Sequence, residues 1–366
     1  MILKDIADFQ KERISSNLLD ESTYISTENI LQNFGGIQSA NSIPTNTNVI
    51  AYKKNDILLS NIRPYLKKVW LADRIGGCSA DVFVLRSNGC EPNFIYYVIA
   101  SDKFIDYVMS GVKGVKMPRG DKKQMEAYKF SIPTIVEQRK ISKLLSLLDE
   151  RIATQNKIIE RYESLIRGIN QYAFTNTGIN YKLGEICEIR SGYSGNQLTL
   201  KNGLKVSRIE TISGHKVNME RVGYVAPFES SENYRLQIGD ILFSNINSVE
   251  YIGNTAFIDK DYNLYHGMNL LRLIPKKELV IPFYLYLVLN TNRLLNHFKT
   301  VCNKAVSQAS INQTELGKTI VLIPNLMNQN RICELFQTLY TKLEAERYFI
   351  SLLHDQKQHL LRQMFI

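Results

Sequence analysis

The chain predicts an α+β fold with a pseudo-two-fold internal repeat: two tandem globules, each followed by a long helix, the two helices pairing as an antiparallel coiled coil. The repeat is the first observation behind this. Asp56 to Ile62 reads DILLSNI and Asp240 to Ile246 reads DILFSNI, while Ile132 to Ile141 reads IPTIVEQRKI and Ile323 to Ile332 reads IPNLMNQNRI, offsets of 184 and 191 residues. LKDI at Leu3 is echoed by LGEI at Leu183, and matching tails end in Phe174 and Phe365. A period this long is that of a whole domain with a connecting helix, not of a solenoid. The other two observations are short β-like runs between glycine turns in each globule, and heptad spacing in each tail.

The elements follow in order. Residues 1–133 form the first globule. DILLSNI, Val69 to Leu71 and DVFVLR from Asp81 read as strands, with turns at Gly35-Gly36, Gly76-Gly77 and Asn88-Gly89. Phe94 to Met109 reads as one amphipathic helix. Residues 134–175 form the first spacer helix, whose stretch from Thr134 to Phe174 has no proline and one glycine, Gly168. With Ile141 at position a, Ile141, Leu148, Gln155, Tyr162 and Ile169 share one line, and Leu144, Arg151, Ile158, Leu165 and Tyr172 occupy d. Residues 180–323 repeat the globule, with VSRI, DILFSNI and LLRLIP as strands and Pro282 to Val301 as the matching helix. Residues 325–366 form the second spacer helix, with Ile332, Leu335, Leu339, Phe349, Leu353 and Leu360 on its face. Arg151 and Gln155 in the first helix fall opposite Lys342 and Glu346 under the 191-residue offset. These polar breaks either form a layer that fixes helix register or lie exposed on a curved helix.

Composition bounds the partner. A net charge of +10 and a pI near 9.2 favour a polyanion without separating DNA, RNA and an anionic membrane. MILKDIAD at the start carries charges where a signal peptide needs an apolar core, and the longest apolar stretch, Ile281 to Leu289, is too short to span a bilayer. A cytoplasmic location without membrane contact is the expectation. The 5 cysteines are odd in number and form no CxxC pair, so buried thiols are expected rather than a disulfide framework or a metal site.

Candidate binding residues cluster at equivalent places. Ser110 to Lys123, SGVKGVKMPRGDKK, sets Lys113, Lys116, Arg119, Lys122 and Lys123 around one acid, Asp121. It reads either as a basic loop that tracks phosphates and reaches base edges or as a solvated charged loop. The second copy offers Asn303, Lys304, Gln308, Ser310 and Asn312, amides and hydroxyls suited to adenine edges. After the DIL strands stand Asn61, Arg63, Lys67 and Lys68 in one copy, and Asn245 and Asn247 in the other. Arg63 suits a bidentate guanine contact, and Arg-Pro-Tyr equally suits a structural turn. His266, beside Gly267, is placed in a strand-edge loop within reach of DNA. No catalytic set accompanies them. The base-holding loop of an amino-methyltransferase is only mimicked by Asn61-Ile62-Arg63-Pro64-Tyr65, and Gly317-Lys318-Thr319 lacks the upstream glycine of a phosphate loop.

Two mixed globules in tandem, each closing on a proline strand, a PxxxEQ-type turn and a long helix, resemble the specificity subunit of type I restriction-modification systems. The resemblance spans essentially the full chain. It rests on Pro133, Glu137 and Gln138, on Pro324 and Gln329, and on MPRGDKK from Met117 to Lys123. In the second copy Asn328 replaces the glutamate, which puts a capping role there in doubt, and SQASINQ from Ser307 replaces the basic run. The resemblance implies two target-recognition domains that read a bipartite sequence in double-stranded DNA. It implies helices that space them and dock two modification subunits, with restriction subunits as further partners. It also implies a non-catalytic chain without a cofactor or metal of its own, S-adenosylmethionine sitting on the modification subunits and ATP and magnesium on the restriction subunits. The alternatives are a specificity subunit of another restriction-modification type, a coiled-coil DNA-binding protein without enzyme partners, and a stand-alone enzyme on nucleic acid.

Overall fold

The DILLS and DILFS runs each supply an inner strand of a four-stranded antiparallel sheet. The structure, a computed structural model, describes residues 1–112, 117–174, 178–200, 202–304 and 308–365. Its chain divides into two units, Met1–Lys157 with Glu346–Ile366, and Ile158–Ala345. In the first, Ile57–Ser60 pairs with Val82–Ser87 and Val69–Leu71, and Ala7–Phe9 forms the far edge. Every residue of Ile57–Ser60 is buried, which is why the run reads as continuously apolar. Asp56 enters that strand buried, its carboxylate accepting two bonds from the Arg86 guanidinium at 2.8 and 2.7 Å. A second sheet joins Arg13–Ser15, Asn48–Tyr52, Gly76–Cys78 and Tyr24–Ile25. Gly76 and Gly77, expected at a turn, are instead buried within this sheet. A Cβ on Gly76 would stand 2.2 Å from the Thr23 carbonyl oxygen, so glycine is needed there for close packing.

The single helix expected from Phe94 to Met109 is two helices, α1 (Pro92–Ile99) and α2 (Asp102–Met109). The Ser101 hydroxyl accepts the Phe104 N–H at 3.2 Å and starts the second helix, a cap that outcompetes continuation of the first. A short α3 (Lys122–Glu126) is capped by Asp121, and α4 (Ile135–Tyr172) runs for 38 residues, about 57 Å.

The second unit repeats the plan. After α5 (Leu183–Ile186), its sheet orders Cys187–Ser191, Leu271–Pro275, Ile241–Phe243 and Thr255–Phe257, again antiparallel. Asp240 and Arg272 form the matching ion pair at 2.7 Å, here with side chains only 4% and 6% exposed. The expected helix from Pro282 to Val301 also splits, into α6 (Pro282–Leu289) and α7 (Asn292–Val301), with Thr291 as the new cap. Then come α8 (Gln313–Gly317) and α9 (Leu326–Met364).

Within the first unit the two long helices run antiparallel: Asp149 meets Lys357 at 2.5 Å, and Leu148, Ile152 and Leu353 share one cluster. In the second unit Ile166, Phe336, Leu339 and Leu343 do the same. The a line is buried or half-buried throughout, but the d line is corrected. Leu144, Arg151, Leu165 and Tyr172 are exposed, and Leu145, Ile152, Ile159 and Ile166 face inward instead. In α9 Leu335 is likewise exposed and Phe336 buried. Apolar doublets such as Leu144-Leu145 and Leu165-Ile166 allow either residue on the seam, and packing selects the second. At the polar break, buried Gln155 donates to the Glu346 carboxylate, Arg151 lies over the Phe349 ring, and Lys342 is exposed.

The PxxxEQ turn now has a physical account. Gln138, 3% exposed, accepts the Glu91 N–H at 3.0 Å and donates to the Pro133 carbonyl at 2.9 Å. Gln329, fully buried, accepts the Ile281 N–H at 2.8 Å and donates to the Leu279 and Pro324 carbonyls at 3.1 and 2.8 Å. Glu137 closes a reciprocal cap with Thr134, its carboxylate accepting the Thr134 N–H at 3.0 Å. In the second copy Asn325 alone caps, accepting the Asn328 N–H at 2.9 Å. Cys78, Cys187, Cys302 and Cys333 are buried, Cys90 is half-buried, and all five are free thiols. Among the described residues no helix is long and apolar enough to cross a membrane.

Candidate nucleic-acid interface

In each globule the chain leaving the DIL strand runs beside the segment that precedes the last short helix. In the first, the Asn61 carbonyl accepts the Gly120 N–H at 3.1 Å, the Arg63 N–H donates to the Pro118 carbonyl at 2.8 Å, and Ile62 bridges Arg119. In the second, the Asn245 carbonyl accepts the Ile311 N–H at 2.9 Å and Ile246 pairs with Ser310. The same backbone crossing therefore presents a guanidinium in one copy and a hydroxyl in the other. Asn61 and Asn245 also match in burying a side-chain oxygen that has no hydrogen-bond partner among the described residues.

Around the first crossing, Arg63 is exposed in the left-handed region, at φ 52, and leads into a short 3₁₀ turn, Pro64–Leu66. Arg-Pro-Tyr is thus a structural turn with its guanidinium side chain outward. Arg119 is half-exposed and lies 3.3 Å from the Asp81 carboxylate, Lys122 sits 4.8 Å over the Phe9 ring, and Lys123 is exposed. Lys67 and Lys68 are tied inward. The first pairs with Asp102 at 2.5 Å and the second donates to the Thr27 carbonyl at 2.6 Å. Lys113 and Lys116 lie outside the described residues. Tyr65 and Met117, 48% and 46% exposed, flank Arg63 and Arg119 on the same segments, and charge patterning alone passes over both.

The second crossing is a small three-stranded sheet of Ile246–Asn247, Ala309–Ser310 and Asn303–Lys304. Asn303, Lys304, Gln308 and Asn312 are exposed. Asn312 also caps α8, accepting the Glu315 N–H at 2.8 Å, as Asp121 caps α3. The Asn247 amide is engaged locally, donating to the Ser244 hydroxyl at 3.1 Å and accepting the Ser248 N–H at 2.9 Å. His266 is a correction. It is 1% exposed, its Nε2 lies 2.9 Å from the Leu270 carbonyl, and burial pushes its pKa down to about 4. A neutral, enclosed imidazole has no path to a phosphate or a base edge.

Both crossings thus combine exposed donors with backbone anchoring, an arrangement that suits phosphate and base-edge contacts. Among the described residues no three His, Cys, Asp or Glu side chains come together as metal ligands.

Comparison with known proteins points the same way. The sequence profile of the type I restriction modification DNA specificity domain matches residues 1–164 and again 179–349. Over 353 residues the chain is 26% identical to the type I restriction enzyme MjaVIII specificity subunit of Methanocaldococcus jannaschii, covering 88% of this chain and 80% of that one. It is 38% identical over 188 residues to the provisionally assigned MjaX specificity subunit of the same organism, a match that spans 50% of this chain and only 44% of the relative. In fold it is similar to a chain from a type I restriction-modification assembly, with TM-score 0.64, 20% identity, and 99% and 96% of the two chains covered. It is similar too to the type I S subunit from M. genitalium, with TM-score 0.61, 16% identity, and 100% and 95% covered.

Proposed function

Because the chain belongs to the type I restriction-modification DNA specificity family, we propose that it reads a bipartite duplex sequence and carries no chemistry of its own. Each globule reads one half-site with its crossing, Arg63, Arg119, Lys122 and Lys123 in the first, and Asn303, Lys304, Gln308 and Ser310 in the second. The observation that carries this reading is the repeated crossing itself, one backbone arrangement bearing Arg119 in one copy and Ser310 in the other. A shared scaffold with different side chains is what two readers of different sequences require. The long helices set the unread spacer and dock two modification subunits. Supporting this, Ile135, Val136 and Leu144 are exposed in α4, and so are their repeat equivalents Leu326, Met327 and Leu335 in α9. Two equivalent apolar patches suit two copies of one partner. Methyl transfer then needs S-adenosylmethionine on those partners, and cleavage needs ATP and magnesium on restriction subunits.

Methylome sequencing of cells carrying the chain with its modification subunit tests the reading. The expected result is adenine methylation at one motif with two defined halves and a fixed gap. Exchanging residues 1–133 for the equivalent domain of another family member should change one half only. A change in both halves, or methylation by the purified chain alone, would sink it.

A further inference from the structure

Resting on the bipartite reading above, we propose that Gln138 and Gln329 are positioning residues that set the angle at which each globule leaves its long helix, and so the spacer length that a target must have. Neither glutamine is exposed to a ligand. Each sits in the first turns of α4 or α9, and its amide reaches two other pieces of its own globule at once. Gln138 takes the backbone N–H of Glu91, the residue that opens α1, and gives its own N–H to Pro133, where the globule ends. Gln329 takes the N–H of Ile281, the residue that opens α6, and gives to Leu279 and Pro324. One planar group thereby locks helix start, globule exit and globule helix together in both copies.

The chemistry admits little else. A carboxylate keeps the acceptor but has no donor for the Pro133 carbonyl, and a thioether of the same length keeps neither. The N–H partners open α1 and α6, where no intrahelical acceptor exists, and the carbonyl partners lie in the segments just before the helices. The neighbouring residue shows the contrast: the Glu137 side chain closes a cap with Thr134, whereas Asn328 only gives its backbone N–H to the Asn325 cap, while the glutamine beside them makes the same bridge in both copies. The bridge, rather than the cap, is the part that the repeat holds constant.

A joint of this kind is read by geometry. A spacer altered by one base pair moves a half-site by about 3.4 Å and rotates it by roughly 35°. A locked joint rejects that displacement, and a loosened one follows it. The test is methylome sequencing of cells carrying the Gln138→Met or Gln329→Met chain with its modification subunit. Both half-sites should stay unchanged, while sites with the gap one base pair shorter or longer become methylated about tenfold more often, the scale of the two hydrogen bonds lost at Gln138 or the three at Gln329. Gln138→Glu, which keeps the acceptor, should relax the spacer less. Methylation confined to the native gap in an active Gln138→Met complex would overturn the proposal, as would an inactive Gln138→Met complex whose Gln138→Glu counterpart also keeps the single gap. Altered half-site bases with a fixed gap would overturn it as well, since a positioning role leaves base reading alone. If the unaltered chain directs no two-part motif, the DNA reading itself fails, and the joint with it.

Discussion

Arg272 and Arg86 pair with the equivalent aspartates from strand positions two residues apart and differ in burial, so their removal should differ in cost. Arg272→Met leaves Asp240 enclosed, with the Gln237 N–H at 2.6 Å as its remaining hydrogen-bond donor among the described residues. Breaking a buried pair in this way costs about 3–5 kcal/mol. Arg86→Met removes two bonds from Asp56, but the Arg86 side chain is 28% exposed and water can enter, so about 2 kcal/mol is expected. Urea unfolding should separate them. With a slope of roughly 2 kcal/mol per molar, Arg272→Met should lower the midpoint of the second unit's transition by about 2 M, followed by far-UV circular dichroism. Arg86→Met should lower its own by about 1 M, read from Trp70, the one tryptophan, which lies in the first unit against Tyr52. The deficit of Arg272→Met should also depend on pH. Burial already holds the Asp240 carboxyl above its ordinary value, against the opposing pull of the Gln237 N–H and Arg272. Without Arg272 it rises further, so the folded chain keeps a proton that the unfolded chain releases. That contribution is present below the ordinary carboxylate value and is lost as pH rises through the raised one, so the deficit should shrink on acidification. Equal costs for the two arginines, or a deficit that grows in acid, would refute the reasoning.

Other outcomes follow from the same geometry. His266 is neutral when folded, so it contributes stability that is present above about pH 6.5 and lost as pH falls toward about 4, up to about 3 kcal/mol; His266→Asn should flatten that part of the pH–stability curve. Replacing Arg119, Lys122 and Lys123 by alanine should weaken binding to any duplex and reduce the log-log salt slope by about one unit per lost phosphate contact, measured by fluorescence anisotropy. An unchanged slope would place these cations away from DNA. Inserting four residues after Gln155 adds about 6 Å and roughly one turn to α4, so the methylated gap should lengthen by about two base pairs while both half-sites persist; an unchanged gap in an active complex would show that the helices do not set it.

Much of the fold is legible because burial leaves a mark on composition. The DIL strands are apolar on both faces, and the a line of α4 repeats every seven residues whatever its partner. The missed features are those decided by distant partners. Ser101 and Thr291 sit inside good helical patterns, and only their caps show that the helix restarts there. Gly76 and Gly77 carry the turn signature, but the Thr23 carbonyl demands the small size of the first, and the Leu19 and Val49 side chains that of the second. At the candidate interface, the residue types of the two loops are visible in sequence, while their use is not. Lys67 is spent on Asp102, 35 residues away, and His266 on the Leu270 carbonyl, a backbone group that no pattern marks.

The end of α9 has a consequence for the order of folding. Leu361 and Phe365 belong to the core of the first globule, with Phe365 5.5 Å from Phe94 in an edge-to-face contact. Phe174 fills the corresponding place in the second, 5.5 Å from Tyr284. The second unit is one continuous stretch and meets its Phe174 before the rest of its globule is made. The first unit is made first and closed last, because its core waits for a residue 271 positions downstream of Phe94. On the ribosome the leading globule therefore emerges with an open apolar slot that stays unfilled until synthesis reaches the end of α9. A chain cut short within α9 would lose its beginning before its middle.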